Sequence, residues 1–162
     1  MIKANQLVWA QTDEQKTTII KVGQQVPSFN YRLTDALHSI SSLQGKVTLI
    51  TFFATWCGPC NNELPPIQEE IYDEYKNNPD FQLLVIGREH SDQELLQFQH
   101  EKGFHFPLIA DPKREIYSLF AQSYIPRNFL VNKEGKVIYQ SVGYNEDKFR
   151  ILKTHIKKQL TN

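Results

Sequence analysis

An α/β fold, with one mixed sheet covered by helices, follows from three features of this 162-residue chain. Two nearly continuous apolar runs, 46–54 and 81–87, read as strands buried on both faces, as in the middle of a sheet. Each is followed by helical start signals, so the strands must be joined by a parallel crossover. Near the C-terminal end, two further strand-like runs flank Lys133-Glu134-Gly135-Lys136, a hairpin turn that adds antiparallel strands.

The elements follow in order. Residues 1–16 read as a polar N-terminal tail and 17–162 as a single domain of ordinary size. Thr17 to Val22 is a candidate first strand, Gly23 to Pro27 a turn, and Phe29 to Leu33 a second strand. Gln44-Gly45 precedes the run 46–54, the clearest strand of the chain. A helix is predicted from Gly58 to Asn77. Pro59 suits its first turn, where a missing N–H costs nothing, whereas Pro65-Pro66 in its interior demands a bend. After the strand 81–87, Ser91-Asp92-Gln93-Glu94 resembles a capping box and opens a helix to about Lys102. Phe106 to Ile109 is a short extended piece. Asp111-Pro112 opens a helix through Ala121. Segments 128–132 and 137–140 form the hairpin, and Glu146 to Leu160 closes the chain as an amphipathic helix.

Composition removes several function classes. Eighteen basic residues balance eighteen acidic ones, so no net basic field attracts nucleic acid or anionic lipid. With 40% hydrophobic and 22% charged residues the chain reads as globular rather than disordered. No stretch approaches the apolar length of a membrane span. Between Met1-Ile2-Lys3 and Val8-Trp9-Ala10 the apolar stretch is too short for the core of a signal peptide.

The chemistry concentrates at Trp56-Cys57-Gly58-Pro59-Cys60, which holds the only two cysteines of the chain. A C-x-x-C after a strand and before a helix reads as a redox dithiol. So short a loop gives little chain-entropy stabilisation, so the pair has chemical rather than structural value. Zinc is the competing reading, because His100 and His105 also have a ligand-like gap. The stretch between the two pairs is far longer than compact zinc modules use. His100 reads more simply as a residue on the solvated face of the 92–102 helix, and no metal or cofactor is called for.

At this point the chain resembles the thioredoxin fold and, more narrowly, the TlpA/ResA-like thiol-disulfide oxidoreductases of bacterial envelopes, which are relatives of the AhpC/TSA-like redoxins. Three segments carry the resemblance: Gly23 to Phe29, Gly45-Lys46 with Thr51 to Pro65, and Tyr124 to Asn132 with Gly135-Lys136. It implies a thioredoxin-like sheet with an N-terminal β extension and a central helical insertion. It also implies a cis Ile125-Pro126 bond facing the dithiol, and a monomer.

The resemblance assigns catalysis to Cys57, Cys60 and Glu63. Cys57, at a helix N-terminus that favours a thiolate, is the exposed nucleophile. Cys60, one turn on, is the buried resolving thiol. Thioredoxin carries a buried Asp six residues before the first cysteine. Here that position is Thr51, which cannot act as a base, and Glu63, on the helical face of Cys60, takes the role. The alternative for Glu63 is an ordinary first-turn acid complementing the dipole.

Trp56, Gly58, Pro59, Ile125 and Pro126 form the substrate-binding surface. Trp56 presents a flat apolar face, with plain core packing as its alternative. Pro126 shapes a groove and keeps a backbone carbonyl available, with a plain turn as its alternative. Arg127 reads as a solvated surface residue, or else as a contact for an acidic substrate.

The expected activity is reduction of protein disulfides in the periplasm or cell envelope, including those of apo-cytochromes c. The partners are disulfide-containing proteins and a thiol reductant, with a membrane electron donor as the envelope version. A cytoplasmic thioredoxin-like reductase is the runner-up. A thiol peroxidase is disfavoured because Ala54 and Ile50 stand where peroxiredoxins need Thr and Pro. A redox-inert binding module is disfavoured because both cysteines are present.

Overall fold

The computed structural model describes residues 11–161. Helix α1 is one turn, Asp13–Lys16, closed by a capping box between Thr12 and Gln15. Strands β1 (Asn30–Leu33) and β2 (Ala36–Ser39) form a small antiparallel hairpin, the N-terminal β extension. Strand β3 (Val47–Phe53) leads into α2 (Gly58–Pro66), a wide π-type stretch (Ile67–Tyr72) and α3 (Asp73–Tyr75). Then come β4 (Phe81–Arg88), α4 (Asp92–Lys102), β5 (Leu108–Asp111) and α5 (Tyr117–Phe120). Strands β6 (Arg127–Val131) and β7 (Val137–Val142) precede α6 (Glu146–Leu160).

The five-stranded sheet has the order β5-β4-β3-β6-β7. Strands β3, β4 and β5 are parallel, whereas β6 and β7 are antiparallel to their neighbours. Every residue of central β3 is buried, as its continuous apolar pattern predicts. Its side chains alternate between two cores. Leu49 and Phe53 pack with Leu64 and Ile67 of the α2 side and with Leu152 and Ile156 of α6, while Ile50 and Phe52 pack with Tyr117, Phe120, Phe129 and the segment around Phe29. Thr51 shares the face of Leu49 and Phe53. On β6, Asn128 shares the face of Leu130, and Arg127 the opposite one.

Three expectations are corrected. Thr17–Val22 is not a strand. It has no alternating buried face, because Ile19 and Val22 are exposed, and a single bridge from Thr18 to Ala121 ties it down. Residues 112–116 are not helical. Arg114 adopts a left-handed conformation (φ 58°), and the Asp111 carboxylate accepts the Ile116 and Tyr117 N–H groups at 3.0 and 2.8 Å, so the helix starts only at Tyr117. The extended piece 106–109 shifts to Leu108–Asp111 and joins the sheet beside β4. The predicted bend at Pro65-Pro66 is realised as the wide π-type stretch. Two consecutive residues without N–H interrupt the regular ladder, and the helix resumes in a different pitch.

Candidate active site

Parallel β3 and β4 bring their C-terminal ends side by side, so the loop before Cys57 meets the segment Arg88–His90. Cys57 is the N-cap of α2, and its Sγ accepts the Cys60 N–H at 3.3 Å. The two cysteines are joined as a disulfide with Cα atoms 5.2 Å apart. Helix-end N–H groups and the positive end of the helix dipole therefore face the Cys57 sulfur and favour its thiolate once reduced.

The loop is pinned from two sides. Asn61 Nδ2 donates to the carbonyls of Thr55 and Cys57, both at 2.9 Å. The Thr55 N–H donates to Nε2 of buried His90 at 2.9 Å, and His90 Nδ1 lies 2.8 Å from Glu94 Oε2. Since Nε2 accepts, the ring proton sits on Nδ1 and points at Glu94.

Glu63 lies three residues after Cys60 on the buried side of α2, 2% exposed. No cation meets it among the described residues. Among the described residues its carboxylate receives only the Asn128 amide, from Nδ2 at 3.0 and 3.1 Å. Asn128 is itself oriented by the Thr51 hydroxyl, which donates to Oδ1 at 2.7 Å. Thr51 and Asn128 face each other in register on β3 and β6. Burial pushes the Glu63 carboxyl up to about 7, and the single amide lowers it only in part. An acid half-ionised near neutral pH accepts and returns a proton at little cost, which is what an acid/base group requires.

The expected site residues converge, with adjustments. Cys60 and Glu63 are enclosed, as expected, so Glu63 is not a solvated first-turn acid. Cys57 is less exposed than expected, at 5%, because Ile125 covers it with its carbonyl 3.9 Å from Sγ. Trp56 is 66% exposed, which overturns core packing. Gly58 and Pro59 are exposed beside it. The Ile125-Pro126 bond is cis. The Pro126 carbonyl is not available, since it accepts the Gly143 N–H at 2.8 Å; the carbonyl that faces the dithiol belongs to Ile125.

Arg127 is neither solvated nor at the substrate surface. It is fully buried and donates to the Ser123 and Tyr124 carbonyls and to the Thr17 and Thr18 hydroxyls. Sequence reasoning missed Asn128, Asn61 and His90. The signal for Asn128 and Thr51 was present: polar residues in the middle of buried strands need a partner.

The Redoxin family profile matches residues 21–156. The chain belongs to the Redoxin family. Among curated relatives, thiol-disulfide oxidoreductase ResA of Bacillus thuringiensis (strain Al Hakam) is 28% identical over 125 residues, covering 76% of this chain and 71% of that protein. ResA of Bacillus subtilis (strain 168) is 29% identical over 120 residues, covering 74% and 66%. A solution structure from Bacteroides thetaiotaomicron, assigned provisionally as a protein disulfide isomerase, superposes with a TM-score of 0.86 at 36% identity, covering 90% of this chain and 94% of that one. A crystal structure from Chlorobium tepidum, assigned provisionally as thiol:disulfide interchange protein DsbE, gives 0.74 at 25% identity, covering 87% and 99%. This redoxin has a thioredoxin-like fold and is a thiol-disulfide oxidoreductase whose two cysteines, Cys57 and Cys60, have C-x-x-C spacing and are joined as a disulfide.

Proposed function

We propose that this redoxin reduces protein disulfides in the cell envelope, those of apo-cytochromes c among them, with Cys57 as nucleophile, Cys60 as resolving thiol and Glu63 as acid/base group. The observation that carries the mechanism is the enclosed Glu63 carboxyl, on the helical face of Cys60 and poised at about 7. The Cys57 thiolate attacks one sulfur of the substrate disulfide, and the other sulfur leaves as a thiolate. Glu63 takes the Cys60 proton. The Cys60 thiolate then attacks Cys57, the second substrate sulfur leaves, and Cys57 and Cys60 share the disulfide seen here. The two substrate thiolates take up two protons, and an external dithiol returns the two electrons.

The envelope placement and the membrane electron donor rest on the resemblance to TlpA/ResA-like proteins. The Gly-Pro pair between the cysteines matches thioredoxin and supports the reducing direction. Equilibration of Cys57–Cys60 with a glutathione redox series tests that direction. A potential toward that of thioredoxin, about −270 mV, is expected, and one near about −120 mV overturns it. Cys60→Ser should accumulate a mixed disulfide between Cys57 and substrate, trapped because no second thiol resolves it. Gel mobility without reductant detects the adduct, and its absence contradicts Cys57 as the attacking residue.

A further inference from the structure

Arg88, the last residue of β4, is a cation without a counter-ion among the described residues, and it lies near Trp56, the residue before Cys57. It is 9% exposed, and its Nε is enclosed with no acceptor among the described residues. Among the described residues no carboxylate lies within ion-pair distance of it. Residues 1–10 contain no acidic side chain. The acid in register with it on β5, Asp111, gives its two oxygens to the Ile116 and Tyr117 N–H groups. The next acid, Glu89, pairs with Arg114 at 3.1 Å. What surrounds the guanidinium is aromatic. Its carbon lies 5.0 Å from the centroid of buried Tyr117 and 6.0 Å from that of Trp56, which precedes Cys57 and is 66% exposed. Ring faces hold a guanidinium in place but offer its N–H groups no acceptor of carboxylate strength. A buried charge left in this state is normally paired.

We propose that Arg88 binds a carboxylate side chain lying beside the disulfide of the substrate polypeptide, while Trp56 covers the neighbouring apolar surface. The planar fork of arginine suits a carboxylate, and docking there would set the substrate sulfur against Cys57. This inference deepens the reductase reading and rests on it.

The test uses two cystine peptides identical but for Glu or Gln next to a half-cystine, with exchange followed by stopped flow against the reduced full chain. Wild type should reduce the Glu peptide about tenfold faster at low salt, the size of one charge-assisted contact, and the preference should shrink as salt rises. Arg88→Gln should bring the ratio of the two rates to about one, and Arg88→Lys, which keeps the charge but loses the fork, should give an intermediate ratio. Equal rates in wild type, or a preference that survives in Arg88→Gln, overturn the proposal. If Arg88→Gln does not fold, the peptide ratio and its salt dependence in wild type still decide. Failure of the reductase reading looks different, since neither peptide is then reduced. In that case NMR titration of the oxidised protein with serine-for-cysteine peptides decides: a Glu-over-Gln preference lost in Arg88→Gln supports the site, and equal binding overturns it.

Discussion

Arg127 and Asn128 are neighbours on β6 that face opposite sides of the sheet, and each reaches a buried charge in a different condition. Arg127 is itself the charge. Four oxygens surround it: two backbone carbonyls and two threonine hydroxyls. Burial lowers its pKa, but an arginine starts so high that it keeps its proton at physiological pH. Asn128 instead serves the charge on Glu63 and is its single partner among the described residues. One side of the strand surrounds a charge with four protein oxygens and makes a tie from β6 to Thr17 and Thr18. The other leaves a charge under-solvated and makes a proton acceptor. The difference lies in how many hydrogen bonds each charge makes, Arg127 as donor and Glu63 as acceptor, since both are fully or nearly buried.

The largest expected effect falls on the structural side. Arg127→Met should cost about 3 kcal/mol of unfolding free energy, because it removes all four hydrogen bonds by which the guanidinium ties β6 to the Ser123-Tyr124 turn and to Thr17 and Thr18. Urea denaturation measures it, and a loss below about 1 kcal/mol would mean the tie is idle.

On the other face, Glu63→Gln should slow substrate reduction about a hundredfold by removing the acid/base group, while Cys57 still forms the mixed disulfide. Single-turnover kinetics separate the two steps. The same variant should be more stable than wild type above neutral pH. The folded carboxyl is raised from 4.5 to about 7, so the folded chain holds its proton more tightly across that window. The stability this contributes is complete below the lower value and is lost as pH rises through the upper one. Glu63→Gln abolishes that decline and should exceed wild type by about 3 kcal/mol at pH near 8, and by little near pH 4.

The smallest effect sharpens the comparison most finely. Asn128→Leu removes the one donor to the carboxylate among the described residues and should move the Glu63-dependent limb of the pH–rate profile up by about one unit. An unmoved limb would show that Asn128 does not set the acidity of Glu63.

Much of this was legible in the sequence, for physical reasons. Strands β3 and β4 showed as apolar runs, α6 as an amphipathic period, and the dithiol as cysteine spacing between strand and helix. Thr17–Val22 misled because its β-branched residues carry strand propensity without a face to bury. Residues 112–116 misled because the carboxylate of Asp111 satisfies N–H groups that a helix would use. The family resemblance assigns the acid to Glu63, and the spacing of three from Cys60 puts it on that cysteine's helical face. Its partner could not be read this way, because Asn128 is 65 residues away and meets it only through the β3–β6 register. Sequence alternation tells that Arg127 and Asn128 face opposite sides, but not which side holds the helix with the cysteines.

The central claim is that an enclosed carboxyl with too few partners is poised to exchange a proton at neutral pH. Titration of Glu63 in the oxidised protein, followed by NMR of its carboxyl carbon with Glu63→Gln for assignment, tests it directly. A midpoint at about 7 is predicted, whereas a midpoint near the ordinary 4.5 would contradict the account.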